Sequence, residues 1–328
     1  MRAVWYDRTG PAREVLQLGE HATPQAGQGQ VLIAVKASGV NPSDVGMRGG
    51  ASGAPMAYPK IIPHSDGAGV VEAVGPGVST SWIGRRVWFY NGQRNGRAFG
   101  AAAEFIELDV DLIRPLPDEV SFAEGATLGI PCMTAHRALF LAGPVQGRTV
   151  LVTGGAGAVG HYAVQLAKWA GATVIATVSN ADKAERARAG GADHTIDYRR
   201  EDVAARVRDL TGGQVVHHVV EVDFGGNAAS TLASVSLNGS VAYYATKGAR
   251  EPVVPAGVLM GLNLSIHGVY LPVSPHEARR RAQADITAWI GTGQAILSVA
   301  GTYALEDCAA AHEAVEAGTK VGTVVVEP

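Results

Sequence analysis

The chain is poor in cysteine. Cys132 and Cys308 are the only two in 328 residues. That excludes a disulfide framework and a structural zinc lobe held by four cysteines, and it fits a reducing, cytoplasmic setting. Long apolar runs are missing as well. No stretch approaches the roughly 18 consecutive apolar residues of a membrane helix, and the start, MRAVWYDRTGP, lacks the apolar segment of a secretory signal. The expectation is a soluble, cytoplasmic protein with no membrane partner. Charge is scarce and nearly balanced, at 17% charged residues and a net charge of -3. Nothing in that balance calls for nucleic acid, and no basic stretch interleaved with aromatics is present. Glycine is what abounds: 42 residues suit a turn-rich α/β enzyme better than a disordered chain. The length points to two domains.

Residues 1–121 read as β-rich. QVLIAVKASGV (30–40) alternates and is β-branched, GAGVVEAVGPGV (67–78) is apolar and broken by Gly and Pro, and RRVWFY and AAEFIEL add short strands. Such a run of short strands suggests a barrel or sandwich-like unit. Residues 122–265 change texture. Helical spacing from Phe122 to Leu141 leads into strands that alternate with helices: RTVLVTG, TVIATV, HTIDY, VVHHVVEV and GSVAYYAT. That rhythm predicts an α/β fold with a doubly wound parallel sheet of the Rossmann type. Residues 266–328, with a long helix around 276–292 and a final strand VGTVVVE, lack the alternation and are expected to return to the first domain and complete it.

The strand RTVLVTG runs into Gly155, Ala156, Gly157, Ala158, Val159 and Gly160. G-x-G-x-x-G between a strand and a helix points to the pyrophosphate of a dinucleotide. Gly155 allows the tight turn, Gly157 lets backbone approach the pyrophosphate, and Gly160 lets helix and strand pack closely. The helix N-terminus offers free N–H groups and partial positive charge. No lysine follows the last glycine, which disfavours an ATP-type loop. NAD sites place a carboxylate about 20 residues on; here the second strand ends in Ser179 and Asn180. Ser179, Lys183 and Tyr198 together read as a 2′-phosphate site, which selects NADPH. Arg186 reads as part of a solvated helix face.

Three segments carry a resemblance across the whole chain: ASGVNPSDVGMRGG; ATLGIPCMTAHRAL with VLVTGGAGAVGHYAVQLAKWAGA; and AHEAVEAGTKVGTVVV. On these the chain resembles the medium-chain dehydrogenase/reductase superfamily, and within it the zinc-free quinone oxidoreductase and zeta-crystallin group. The resemblance implies a GroES-like catalytic domain built from both chain ends around a Rossmann domain, NADPH as cofactor, and a homodimer joined through the Rossmann sheets. It also implies that Thr134 lies near the nicotinamide, and that Ala245 and Thr246, followed by Lys247, border it together with Val269, Tyr270 and Leu271 of a later strand.

No metal is expected. Zinc relatives carry cysteine where this chain has Asn41-Pro42 and His-Glu where it has Ser65-Asp66, and His64 is one residue off the ligand position. Cys132 alone cannot hold an ion, and His217 and His218, adjacent on a strand, face opposite ways. Without a Lewis acid, alcohol oxidation is disfavoured. Hydride transfer to an electron-poor quinone or enone is the expected reaction. Asn41 is the first candidate for a hydrogen bond to the acceptor oxygen, or else it caps the helix after Pro42. Asp44 and Arg48, four apart, either serve the site or pair along that helix, and Asp66 either orients Arg48 or the loop, or closes a turn. Relatives have tyrosines near Gly46 and Ser52, so the acceptor pocket is wider here or is filled by Tyr58, Phe89 or Tyr90. Two other readings stay open: an NADPH-binding structural or redox-sensing protein of the zeta-crystallin type, and a zinc alcohol dehydrogenase.

Overall fold

The computed structural model describes every residue of the chain except Ser52 and Asn95. Two compact units emerge, Met1–Pro131 with Gln283–Pro328, and Cys132–Ala282.

The first unit contains β1 (Arg2–Trp5), α1 (Ala12–Val15), β2 (Gln17–Glu20), β3 (Gln30–Val40), α2 (Pro42–Gly49), β4 (Asp66–Val74), β5 (Arg86–Phe89), β6 (Phe105–Asp109), β7 (Ile113–Pro115) and α3 (Phe122–Gly125). The second contains α4 (Met133–Phe140), β8 (Thr149–Val152), α5 (Ala158–Trp169), β9 (Thr173–Val178), α6 (Ala181–Ala189), β10 (His194–Asp197), α7 (Val203–Leu210), β11 (Val216–Glu221), α8 (Phe224–Ala233), β12 (Val235–Tyr243), α9 (Ala256–Leu262) and β13 (Ser265–Gly268). Helix α10 (His276–Ile290) spans the boundary. β14 (Val299–Ala304), α11 (Cys308–Glu316) and β15 (Thr323–Glu327) belong to the first unit.

In the first unit β14-β15-β3-β4-β5-β7 form one sheet, and β6 also pairs with β3. β15 runs antiparallel to β3, with Val325 opposite Gly39, so both chain ends build this unit. Alternate residues Val31, Ile33 and Val35 of β3 meet Val71, Val87, Phe89, Ile106 and Leu108 in its core, as a period of two requires of a half-buried strand.

The second unit holds a parallel sheet in the order β10-β9-β8-β11-β12-β13. Val150, Leu151 and Val152 are all fully buried, which is why the strands read as continuous apolar runs rather than alternating ones. The chain reverses direction across the sheet between β8 and β11, the switch point where α/β sheets bind ligands.

These units meet later in the chain than the texture of the sequence suggests. β13 pairs with β12, Ser240 opposite Ser265, so the sheet continues past residue 265. The crossover before it, α9, is apolar throughout and has no buried residue, so its sequence carries no amphipathic period to read. The helical spacing of Phe122–Leu141 is also not one helix. It breaks at Leu128–Cys132, where Gly129 has ψ -115° and Pro131 intervenes.

Candidate functional site

Three of the helices that follow strands in the second unit start alike. Asn180, Asp202 and Asp223 each cap a helix by accepting a backbone N–H, the usual way to satisfy the open donors of a first turn. Helix α5 begins at Gly157 with no side-chain cap. Its N-terminal donors therefore face forward without a carboxylate or hydroxyl of their own, as an anion site requires.

The turn before α5 is held from both sides. Gly154 N–H donates to Thr177 Oγ1 (3.0 Å) and Gly155 N–H to the Thr177 carbonyl (3.0 Å) on β9. Thr153 donates to Glu221 Oε1 (2.9 Å) at the end of β11. The glycines divide their work differently from the expectation. The left-handed residue is Gly154, with φ 63°, not Gly155. Gly155 is needed for packing, since a Cβ there would lie 2.6 Å from the Ala176 Cβ. At Gly160 a Cβ would lie 2.3 Å from the Gly154 carbonyl oxygen, which forces close helix–turn contact. A Cβ at Gly157 would meet, among the described residues beyond its chain neighbours, only the Gly154 carbonyl oxygen, at 3.3 Å. The space beside Gly157 is open. Packing thus accounts for Gly155 and Gly160 and does not account for Gly157. Ala156 is buried, while Ala158 and Val159 open the helix.

Ser179 follows β9 directly and is buried. Tyr198 follows β10, and its N–H donates to the Val178 carbonyl (3.1 Å), so it stands beside the end of β9. Lys183 lies in the first turn of α6, its N–H on Asn180 Oδ1 (2.9 Å). The three residues read as a 2′-phosphate site are thus gathered at one edge of the sheet. Ala245 and Thr246 follow β12, and the Ala245 carbonyl accepts the Phe224 N–H (3.1 Å). Val269, Tyr270 and Leu271 lie just after β13 rather than within it. Val269 N–H donates to the Tyr243 carbonyl (2.8 Å), and Leu271 opens a short helical turn. All of these sit at the carboxyl ends of parallel strands, on the side where the glycine turn lies.

Two residues here were missed or misjudged from sequence. Arg186 is not on a solvated face. Its Nε donates to the Ala156 carbonyl (3.1 Å), inside the glycine turn, and its Nη2 is buried with no hydrogen-bond partner among the described residues. The reason is local: Ala184 and Ala187 are the buried residues of α6, and such small residues let the helix approach closely enough for Arg186 to fold back. Glu221, fully buried, collects donors from Thr153, Asn227, Thr231 and the Asp223 N–H. A lone carboxylate closing an apolar strand was the available signal.

In the first unit, β3 delivers Asn41 to the start of α2, and β4 begins opposite with Asp66, paired with Gly39. Asn41 Nδ2 donates to Asp66 Oδ2 (2.7 Å), and the Ile130 N–H donates to the same oxygen (2.7 Å). Burial, then the nearby Asp44, push the Asp66 carboxyl up to about 8 against the pull of those two donors. The Asn41 N–H is capped by Asp44 Oδ2 (2.9 Å). Asp44 and Arg48 do not pair with each other. Asp44 binds Arg94 (3.0 Å), and Arg48 binds Glu316 and the Gly10 carbonyl. Nor does Asp66 orient Arg48; its partners are Asn41 and Ile130. Phe89 and Tyr90 are buried, Phe89 in the β-sheet core, and Tyr58 packs beside Tyr6, Val15 and Ile61. Phe89 therefore does not fill an acceptor pocket. Among the described residues a Cβ at Gly46 would meet only the Ala51 Cβ, at 3.7 Å, and none of them forces a small residue there. Ser52 lies outside the described residues.

Thr134 is buried in the first turn of α4. Cys132 is fully buried, and burial pushes its thiol well above the ordinary range, which suits packing and not nucleophilic chemistry. His217 is exposed and His218 buried against Ser240 and the Ala138 carbonyl, as their opposite facing requires.

The family profile described as alcohol dehydrogenase GroES-like domain matches residues 27–118, and that described as zinc-binding dehydrogenase matches 158–285. The chain is 32% identical to quinone oxidoreductase of Rattus norvegicus, over 99% of this chain and 97% of that protein. It is 32% identical to 2-haloacrylate reductase of a Burkholderia species, over 100% and 99%. Among solved structures it resembles a mycobacterial protein complexed with NADPH, at 33% identity and a TM-score of 0.85, with both chains fully covered.

Proposed function

We propose, for a chain that belongs to the quinone oxidoreductase family of medium-chain dehydrogenases/reductases, NADPH-dependent transfer of hydride to a quinone or to a carbon–carbon double bond conjugated with a carbonyl. The end of β9 carries the cofactor half of this reading. Ser179 stands where an NAD site has its carboxylate, with Lys183 and Tyr198 beside it.

The residues fit that cofactor. The uncapped α5 terminus and the open space at Gly157 receive its pyrophosphate. Ser179 and Lys183 donate to the 2′-phosphate, and Tyr198 flanks it. Ala245, Thr246, Val269, Tyr270 and Leu271 border the nicotinamide end. When bound, NADPH supplies the hydride. The acceptor is already electron-poor, so the protein's task is alignment and stabilisation of the charge that reaches the carbonyl oxygen. An amide NH2 carries two hydrogens. Asp66 takes one from Asn41 and fixes its direction, and the second is the donor we assign to the acceptor oxygen. Thr134 is assigned to the nicotinamide side. Asp44 and Arg48 act from behind, by capping Asn41 and anchoring α2. Water or a side chain returns the proton.

An acceptor screen tests the reaction. NADPH is expected to be consumed with para-benzoquinone, phenanthrenequinone or a 2-alkenal. Tight NADPH binding with no turnover on any of them favours the alternative, a binding protein of the zeta-crystallin type. For Arg186→Met, which keeps the stem and removes the guanidinium, NADPH affinity is expected to fall about tenfold, since one charge-assisted hydrogen bond steadies the turn. Fluorescence titration measures this; an unchanged affinity removes Arg186 from the site.

The chain is also proposed to act as a homodimer in the cytoplasm. The support is β13, an edge strand with one neighbour among the described residues. Val253 (88% exposed), Met260 (82%), Tyr270, Val273 and Leu237, in the segments before and after it, are exposed large apolar residues.

A further inference from the structure

A group of side chains that the proposed reaction does not use lies in the first unit. His64 precedes β4, and Cys308 and His312 are one turn apart on α11, hence on one face. One ligand atom from each lies within 4.8 Å of the others, and all three residues are buried. The two Nε2 atoms of His64 and His312 are 2.9 Å apart, and Cys308 Sγ is 3.9 Å from His64 Nε2.

A hydrogen-bonded histidine pair does not account for this arrangement. Only one proton fits between the two Nε2 atoms. Whichever ring carries it, the Cys308 thiol converges on the same point, 3.9 Å from His64 Nε2, with no part in that pair. The walls are the apolar Val40, Val45, Ile62, Ala311 and Val324, with the buried charges of Asp44, Arg48 and Arg94 beyond them, each ion-paired. An apolar core of that kind gains nothing from three convergent lone-pair donors unless they hold something. His64 also sits at φ 75°, a left-handed backbone rare for residues with a side chain. Its Nδ1 lies 2.8 Å from Ser38 Oγ, the kind of outer contact that fixes a ligating imidazole.

We propose that His64, Cys308 and His312 form a three-ligand site for a soft closed-shell metal ion, Cu(I) or Zn(II). Thiolate and imidazole donors select these ions. Two neutral imidazoles and one thiolate sum to zero with a monovalent ion and to one positive charge with a divalent one, and a dry interior penalises the latter. Among the described residues no fourth His, Cys, Asp or Glu joins the group. Both points favour Cu(I). On binding, the Cys308 S–H bond breaks, its proton leaves to solvent, and one metal–sulfur and two metal–nitrogen bonds form. Each imidazole keeps its proton on Nδ1, that of His64 directed at Ser38 Oγ, and no electron is transferred. For bonds of about 2.0 Å the two Nε2 atoms need to open by roughly half an ångström. Buried on all sides, the ion fastens α11 to the loop before β4. This role stands independently of the reductase reading.

The test uses the full chain, expressed in medium supplemented in separate arms with copper, zinc or cobalt salts and purified without chelator. One arm is expected to yield about one equivalent of ion per chain, with a Tm several degrees above the metal-free protein. Retained copper is expected to be silent in electron paramagnetic resonance, as Cu(I) is. Cobalt is expected to give a thiolate charge-transfer band. Cys308→Ala should abolish that band, and His312→Gln should lower bound metal at least tenfold. Folded wild-type protein that retains no ion in any arm overturns the proposal. So does equal metal content in Cys308→Ala. Should the variants not fold, the wild-type stoichiometry and the cobalt band decide.

Discussion

Replacing Ser179 by Asp and Lys183 by Ala together is expected to turn the preference of this enzyme from NADPH toward NADH. The argument is electrostatic. Ser179 occupies the buried end of β9, where a carboxylate accepts the 2′-hydroxyl of NADH and repels a 2′-phosphate. In the proposed site Ser179 supplies a hydroxyl donor and Lys183, in the first turn of α6, an ammonium. Each charge-assisted hydrogen bond is worth about 1.5–3 kcal/mol. Losing two and gaining a like charge lowers kcat/KM for NADPH by roughly a hundredfold or more. Asn180, the cap of α6, is untouched, so the helix that carries position 183 still starts in place. Stability therefore changes little. The ratio of kcat/KM for NADPH and NADH, measured with one quinone, checks this. A ratio equal to that of the wild type removes both residues from the cofactor site.

That prediction was available from sequence because the signal is local. A strand, a glycine turn, a helix and the end of the next strand follow one another within about 30 residues, and their order alone places Ser179 near the turn. β3 was legible for the same reason: eleven residues from Gln30 to Val40 alternate and are β-branched. What sequence did not reveal was set by contacts between distant segments. Asp44 and Arg48 are neighbours by helical spacing, yet Asp44 pairs with Arg94 and Arg48 with Glu316, because the pairing of β15 with β3 brings the C-terminal segment to α2. The break after α3 has a similar origin. Asp66 Oδ2 captures the Ile130 N–H, and Gly129 lies so close that a Cβ there would be 2.1 Å from Asp66 Oδ1. Pro131 hinted at that break; the carboxylate behind it was not readable. His64 was weighed only against a ligand position of zinc relatives, and its neighbours Cys308 and His312 lie more than 240 residues on.

The glycine turn allows a comparison within one motif, and the two outcomes are expected to differ in kind. Gly157→Val should keep the fold and lose the cofactor. Its backbone, φ -72° and ψ 169°, is ordinary for any residue, and the added Cβ meets only the Gly154 carbonyl oxygen, at 3.3 Å. The two methyl groups then stand in the open space before α5, where the pyrophosphate must come within hydrogen-bond reach of backbone N–H groups. Affinity for NADPH is expected to fall by at least a hundredfold, with Tm within a few degrees of wild type. Gly160→Ala should do the reverse. Its Cβ would lie 2.3 Å from the Gly154 oxygen and 2.9 Å from the Gly154 carbonyl carbon, so helix and turn must separate, at a cost of about 1–3 kcal/mol in stability. Thermal melts and NADPH titration on both variants distinguish the roles. Gly157→Val protein that binds NADPH normally shows that the turn serves packing alone, and the cofactor must then be sought elsewhere on the sheet.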